Sequence, residues 1–111
     1  MSCYTQPGFY SWETADIAIT LEKDGVLDGI KDVIVSFVQG ATRVDFHADD
    51  LEIDVATNTL TAHFTQEQAG LFTGNREAAV QVNVLYDDGE RDVSARGKVA
   101  ILPNLYEEVM E

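Results

Sequence analysis

Cysteine, proline and long apolar runs are scarce or missing in this 111-residue chain. The single cysteine, Cys3, has no intramolecular partner, so a secreted scaffold stapled by disulfides is excluded. No apolar run approaches the roughly 20 residues that a membrane helix needs, so we expect no membrane partner. The opening residues MSCYTQPGFYSWETAD lack the basic and apolar regions of a secretory signal, and we expect none.

Basic residues are also scarce. Seven Lys and Arg stand against 20 Asp and Glu, which gives a formal net charge of −13. Such a surface repels phosphate backbones and anionic lipids, so nucleic-acid binding is disfavoured except as mimicry of the charge of DNA. The charge favours either solubility alone or docking onto a basic partner.

Residue patterns that carry catalysis are missing as well. His47 and His63 are the only histidines, and both fall in strand-like segments. There is no HxxxH or CxxC spacing for zinc, no GxSxG nucleophile elbow and no glycine-rich phosphate loop. The acidic segment YDDGERD lacks the acid spacing of a calcium loop and is more typical of a solvated hairpin tip. We therefore predict no enzyme, no cofactor and no metal.

What the chain has is alternation with a period of two, the signature of strands with one buried face. The segment KDVIVSFVQG is apolar on both faces, which is typical of a strand that is central in its sheet or covered on both sides. About seven such segments with regular turn signals predict one all-β domain, a two-sheet antiparallel β-sandwich of immunoglobulin-like or baseplate type. The predicted inward residues are Ile17, Ile19 and Leu21; Val33, Val35 and Phe37; Val44 and Phe46; Leu51, Ile53 and Val55; Leu60, Ala62 and Phe64; and Val80, Val82, Val84 and Tyr86.

The last strand is predicted from RDVSARGKVAIL, which follows the hairpin signal Asp88-Gly89 and ends before Pro103. Alternation places Gly97 inward and predicts a bulge or a close backbone approach there. The same alternation places four further residues inward: Val93, Ala95, Val99 and Ile101.

A short helical turn is predicted near residues 65–72. Thr65 and Gln68 match a capping box, with Thr65 as the N-cap, and Glu67 suits the helix dipole. Leu71 and Phe72 would fix this turn to the core. Between two strands of a sandwich, such a turn would carry the chain from one sheet to the other.

Three parts follow from this pattern: an aromatic N-terminal segment (1–13), the β-sandwich domain (14–103) and a short C-terminal tail (104–111) that is helical at best. The aromatic segment, which includes Trp12, either covers the core or docks on a neighbour. Gln39 and Gln81 lie in apolar strands, either pointing outward or as amides that bond to a sheet edge or a partner. The candidate interaction residues are Trp12, Gln39, Gln81, Tyr86, Leu105 and Tyr106.

Four of these stretches together resemble a family of small proteins encoded by phages and prophages of Gram-positive bacteria. They are, in order, DVIVSFVQG, DVATNTL, the signature FTQEQAGLF and AAVQVNVLYDDGERDVSARGKV, followed by a leucine-rich tail, and the resemblance covers about residues 14–108. The family's turn usually reads L-T-Q-E-E-T-x-x-F, from which Phe64, Gln68 and Ala69 depart. The matched positions are Gln39, Thr65, Gln66, Glu67, Phe72, Gln81, Asp88, Gly89 and Ser94.

The resemblance implies a non-enzymatic structural protein of the virion, tail or baseplate region, present in the virion or in the host cytoplasm during assembly. Its partners would be other phage structural proteins, including basic surfaces, or further copies of this chain. A more distant resemblance, by fold analogy, is to the N-terminal sandwich of baseplate upper proteins. Two alternatives stay open. One is a carbohydrate- or ligand-binding accessory module that uses aromatics such as Trp12, Tyr10 and Tyr86, and the other is an acidic inhibitor that mimics DNA.

Overall fold

Two β-sheets packed face to face form the protein, as predicted. The structure, a computed structural model, describes residues 1–5 and 8–111. Sheet I has the strand order β1 (Cys3–Thr5), β3 (Ala15–Leu21), β7 (Thr59–Phe64) and β6 (Leu51–Asp54). Sheet II has the order β2 (Gly8–Tyr10), β10 (Gly97–Leu102), β8 (Arg76–Tyr86), β4 (Ile30–Gln39) and β5 (Thr42–His47), and β9 (Arg91–Val93) also pairs with β8.

The strand order is that of immunoglobulin-like sandwiches, in which an A-B-E-D sheet packs on a sheet built around C, F and G. One pair departs from the predicted antiparallel arrangement, because β2 runs parallel to β10. Since β1 and β2 belong to different sheets, both described strands of the aromatic N-terminal segment are parts of the sandwich. Gln6 and Pro7 of that segment lie outside the described residues.

The core lies between the sheets, and the predicted alternation fills it in β3, β4, β5, β7 and β8. At its centre, Phe64 packs against the rings of four other phenylalanines, with centroid distances of 4.8 to 6.1 Å: Phe9, Phe37, Phe46 and Phe72. The edge strand β6 departs from the prediction. Leu51 and Ile53 are only half-buried, and Val55 lies beyond the strand end and is exposed.

The predicted helical turn is α1 (Gln66–Gly70), and its capping box is present. The Thr65 hydroxyl accepts the Gln68 N–H at 3.1 Å, and the Gln68 side chain accepts the Thr65 N–H at 2.9 Å. Phe72 is buried as expected, but the prediction for Leu71 is wrong: its side chain is 58% exposed. The helix ends at Gly70, so Ala69 contributes the other buried contact instead. As predicted, this turn carries the chain from sheet I to sheet II.

The predicted single return strand is two strands, β9 and β10, separated by residues 94–96. Val93 pairs with Asn83 and Gly97 with Val80, so four steps on one strand match three on the other, which confirms a bulge. The close approach at Gly97 is also confirmed, because a Cβ there would lie 3.0 Å from Val80 Cγ1.

The bulge overturns the predicted facing of Val93 and Ala95. Val93 is 47% exposed, Ala95 is exposed, and Ser94 between them is buried. The Ser94 N–H donates to the Val82 carbonyl at 2.9 Å, and the Ser94 hydroxyl accepts the Val82 N–H at 2.9 Å. A side-chain oxygen thus replaces a backbone carbonyl in the ladder, which satisfies the buried amide.

Beyond Pro103 the tail forms neither helix nor strand. The Gln66 amide holds it by pairing with the backbone of Met110, with Nε2 donating to the carbonyl at 3.1 Å and Oε1 accepting the N–H at 2.8 Å. Among residues 1–5 and 8–111, no helix is long and apolar enough to cross a membrane.

Candidate interaction surface

The outward side of sheet II carries a strip without charged residues along its two long neighbouring strands. Because alternate residues of β4 and β8 are buried in the core, the residues between them face outward. Their register brings Ser36 opposite Gln81 and Val38 opposite Ala79. This set, called the uncharged strip below, comprises Ile34, Ser36, Val38, Ala79, Gln81, Asn83 and Leu85.

The sequence pattern indicated part of this strip, but it did not show whether other chain segments cover it. Ile34 and Val38 are the outward apolar residues that predicted a strand central in its sheet or covered on both sides. In the structure β4 does lie between β8 and β5. On its outward side only Val38 is exposed, at 37%, whereas the other six residues of the strip are half-buried. Apolar residues on an outward sheet face are candidates for contact with another protein.

Charged residues of both signs lie around this strip. The strands of sheet II carry five of the seven Lys and Arg residues, and Arg96 lies in the bulge between β9 and β10. Arg43 pairs with Asp45 at 3.0 Å, and Lys98 lies 3.9 Å from Glu77. Arg91 donates to Asn83 Oδ1 at 2.7 Å, at one end of the strip. A polar rim around a less polar centre is the usual composition of a protein interface.

The outward side of sheet I is different. Its strands contain Asp16, Glu52 and Asp54 but no Lys or Arg. His63 lies between two of these carboxylates, with Nδ1 bonded to Asp16 and Nε2 3.4 Å from Glu52. The hydrogen bond to Asp16 raises the pKa of His63 above its ordinary value, and the Glu52 charge adds to the effect. This is an acidic, solvent-exposed face.

The two candidate glutamines lie in different environments. Gln39 is buried, and its amide is fully used within the chain: Nε2 donates to the Thr73 carbonyl at 2.9 Å and Oε1 accepts the Thr73 N–H at 2.6 Å. It therefore fixes the loop between α1 and β8. Its spacing from Val35 and Phe37 places it on the inward row, and that signal could have identified it as a buried amide.

Gln81, by contrast, faces outward at the centre of the uncharged strip and is half-buried. Its Nε2 donates to the Ser94 carbonyl at 2.9 Å, which becomes available because the bulge removes that carbonyl from the ladder. The side chain is held in place but remains part of the surface.

The aromatic N-terminal residues divide between core and surface. Phe9 is buried, whereas Tyr4 and Tyr10 are exposed. Trp12 is half-buried with its ring against Gly70, where a Cβ would lie 2.5 Å from the indole. A glycine is therefore required at the end of α1.

The tail candidates Leu105 and Tyr106 are both exposed. Asn104 ties the tail to the same end of the sandwich as Trp12, because its Nδ2 donates to the Ser11 carbonyl at 2.8 Å. These candidates thus gather near α1, beyond one end of the uncharged strip.

Tyr86 lies at the opposite end of β8. Its hydroxyl is 2.8 Å from the Val26 carbonyl oxygen and 3.0 Å from Asp92 Oδ2. The same Oδ2 accepts a hydrogen bond from Lys23 Nζ at 2.6 Å. Burial, together with the hydrogen bond to the Asp92 carboxylate, raises the pKa of Tyr86 to about 12. The hydroxyl therefore joins the loop between β3 and β4 to the β8–β9 hairpin. The structure thus gives Tyr86 a role within the chain.

The acidic hairpin YDDGERD forms a tight turn. The Asp88 carboxylate accepts the Glu90 N–H at 2.9 Å, and Gly89 has a φ of 89°, which favours glycine. In the part of the chain that the structure describes, no three or more His, Cys, Asp or Glu side chains are grouped to hold a metal ion.

Comparison with known proteins shows the fold. No family model matches the sequence, and no curated protein matches it. Among solved structures, the chain is similar to part of a polysaccharide deacetylase from Bacillus cereus, with a TM-score of 0.56 and 12% identity. The similarity covers 89% of this chain but 29% of that one, so this chain spans less than a third of the length of its structural neighbour.

Proposed function

We propose that this protein is a non-enzymatic structural module of a phage or prophage particle, which assembles with other virion or tail proteins through sheet II. The observation that carries the proposal is the uncharged strip, a row of outward residues that are half-buried except for the exposed Val38, on a protein whose net charge is −13. On so acidic a chain, seven neighbouring outward positions without a charge call for an explanation, and a contact with another protein supplies one.

The resemblance to small phage and prophage proteins supports the identity of the partners. Several of its matched positions have structural roles here, and they maintain the frame of sheet II. Gln39 fixes the loop that precedes β8, and Ser94 makes the bulge that leaves Gln81 on the surface. The acidic face of sheet I would then point to solvent or to a basic neighbour within the particle.

The test begins with particles purified from the strain that encodes the chain. We expect the protein at a fixed copy number relative to the main structural proteins, measured by quantitative mass spectrometry. Val38→Glu places a charge on the strip and should reduce incorporation at least tenfold. Thr61→Glu, an outward change on β7 of sheet I, is the matched control and should not. Absence of the wild-type chain from intact particles would contradict the proposal.

An accessory module that binds carbohydrate is the second candidate. It is favoured by the similarity of most of this chain to part of a protein that is described as a polysaccharide deacetylase. Tyr4 and Tyr10 are exposed and could stack on sugar rings, although the Tyr86 hydroxyl is used within the chain. Saturable binding of a soluble glycan that is lost in Tyr10→Ala would favour this candidate over the virion module.

A further inference from the structure

We infer that the partner of the uncharged strip is a second copy of the same chain, so that two copies pair through their sheet II faces about a two-fold axis. The inference rests on the proposed function and names the occupant of the same surface. Three features carry it: the distribution of charge, the shape of the strip and the area of sheet II.

The charge distribution leaves one favourable way for two copies to approach. At a net charge of −13 two copies repel each other overall. The strands of sheet II, however, carry five Lys or Arg and four Asp or Glu, so this side is close to neutral, whereas the strands of sheet I carry only acids. Pairing through sheet II places the two acidic faces on opposite outer sides. Three intersheet spacings of roughly 10 Å then separate them, well beyond the Debye length of about 8 Å in physiological salt.

The surface of the strip has raised and hollow parts. A two-fold axis would place the raised parts of one copy opposite the hollows of the other. One shallow hollow of about 130 Å³ is lined by Ser36, Val38, Ala79 and Gln81 of the strip together with Val80 and the rim residue Arg96. A second hollow of about the same volume is lined by Ile34, Asn83 and Leu85 together with Val84 and the rim residues Asp32 and Arg91. In an isologous pair each hollow occurs twice, and each receives a side chain from the other copy. Val38, the most exposed residue of the strip, stands at the edge of the first hollow.

The area of sheet II reaches the lower end of what a stable pair needs. Its six strands contain 39 residues. At about 3.3 Å per residue and about 4.8 Å between strands they present a face of roughly 620 Å². Standard interfaces bury roughly 600–1,000 Å² per partner.

The first test is sedimentation velocity over about a hundredfold range of protein concentration, with the expectation of a monomer–dimer equilibrium. Ala79→Glu places a carboxylate on the strip, opposite Val38, and should weaken dimerisation at least tenfold. The control Thr61→Glu adds the same charge to sheet I and should leave it unchanged. Circular dichroism and thermal melting establish that both variants remain folded. A wild-type chain that stays monomeric throughout, or a dimer that Ala79→Glu does not weaken, would overturn the inference.

A second test is crosslinking, in a Cys3→Ser background that removes the native thiol. A cysteine introduced as Ser36→Cys lies on the strip and should form an intermolecular disulfide under mild oxidation, whereas Thr61→Cys should not. Equal crosslinking at both positions would also overturn the pairing.

The outcomes separate this inference from the proposed function. A monomeric protein whose incorporation into particles is lost in Ala79→Glu would overturn the two-fold pair and leave the docking role standing. A dimer in solution that is broken by Ala79→Glu, from a chain that is absent from particles, would support the pair and contradict the virion role.

Discussion

The two sheets have similarly apolar inward sides and contrasting outward sides. Towards the core both present Ile, Ala and Phe, to which sheet I adds Leu and sheet II adds Val. Phe64 of sheet I packs against three rings of sheet II and against Phe72 of the loop after α1. Towards solvent, sheet I presents carboxylates, threonines and His63, whereas sheet II presents the uncharged strip within a rim of cations and carboxylates. The inward residues therefore account for the fold, and the difference between the outward residues is where the function has to be sought.

The contrast shows how a solvent-exposed acidic face differs from the proposed contact face. On sheet I polar side chains satisfy one another across strands, as Thr20 and Thr59 do at 3.3 Å and as His63 does with its two flanking carboxylates. On the strip of sheet II the short side chains of Ser36 and Ala79 leave hollows, and Gln81 is bonded to the backbone beside them. The first surface is suited to water, and the second is the one that we propose another protein covers.

The largest effect tests whether the contrasting faces share one core. Phe64→Ala removes the ring on which the phenylalanine cluster is centred and should lower the free energy of unfolding by about 3–5 kcal/mol. Urea unfolding followed by both Trp12 fluorescence and circular dichroism should still give one coincident transition. The exposed aromatic change Tyr4→Ala is the control and should cost less than about 0.5 kcal/mol. Separate transitions for the two probes would mean that the sheets unfold independently.

The next effect separates the inward and outward glutamines of sheet II. Gln39→Leu leaves the N–H and carbonyl of Thr73 without partners and should cost about 2–3 kcal/mol of stability. Gln81→Leu loses one bond at a half-exposed site and should cost less than about 1 kcal/mol. Denaturant titration of both variants measures the difference. Equal costs would show that burial of the first amide does not determine its contribution.

The smallest effect concerns the acidic face of sheet I. Because the folded pKa of His63 is raised, its protonated form contributes stability that is complete below the unfolded value near 6.5 and is lost as the pH rises through the folded value. Asp16→Asn should therefore lower the pKa of His63 and reduce the dependence of stability on pH in that window. NMR titration of the imidazole measures the shift, and Asp54→Asn is the control. An unchanged pKa in Asp16→Asn would contradict the role of the Asp16 bond.

Local patterns were predictable from sequence, and tertiary exceptions were not. The capping box of α1 depends on residues three apart, so Thr65 and Gln68 identified it directly. The prediction that Leu71 is buried was wrong because a helix of five residues packs only one of its sides against the core. The bulge at 94–96 was predicted close by, at Gly97. The inward facing of Ser94 was not predicted, because it depends on contacts distant in sequence, including the hydrogen bond from the Ala95 N–H to the Met1 carbonyl at 2.6 Å.

The candidate surface was predictable in part. The alternation that places Gln81 outward also places Ile34 and Val38 outward, and these were the signal of the uncharged strip. Whether such residues are covered depends on which chain segments pack over the sheet, and spacing along one strand carries no such information. The parallel pairing of β2 with β10 was likewise not predictable from the three residues of β2.

That parallel pair has a mechanical consequence. β2 and β10 run in the same direction, with Gly8 beside Ala100 and Tyr10 beside Leu102, and the Ser11 N–H bonds the Leu102 carbonyl at 2.9 Å. A force that pulls the chain upstream of Gly8 away from the chain downstream of Leu102 acts along these strands. It therefore strains all their bonds at the same time instead of opening them one by one. Tension applied through the two ends is thus resisted in shear, the direction in which a short sheet edge is strongest.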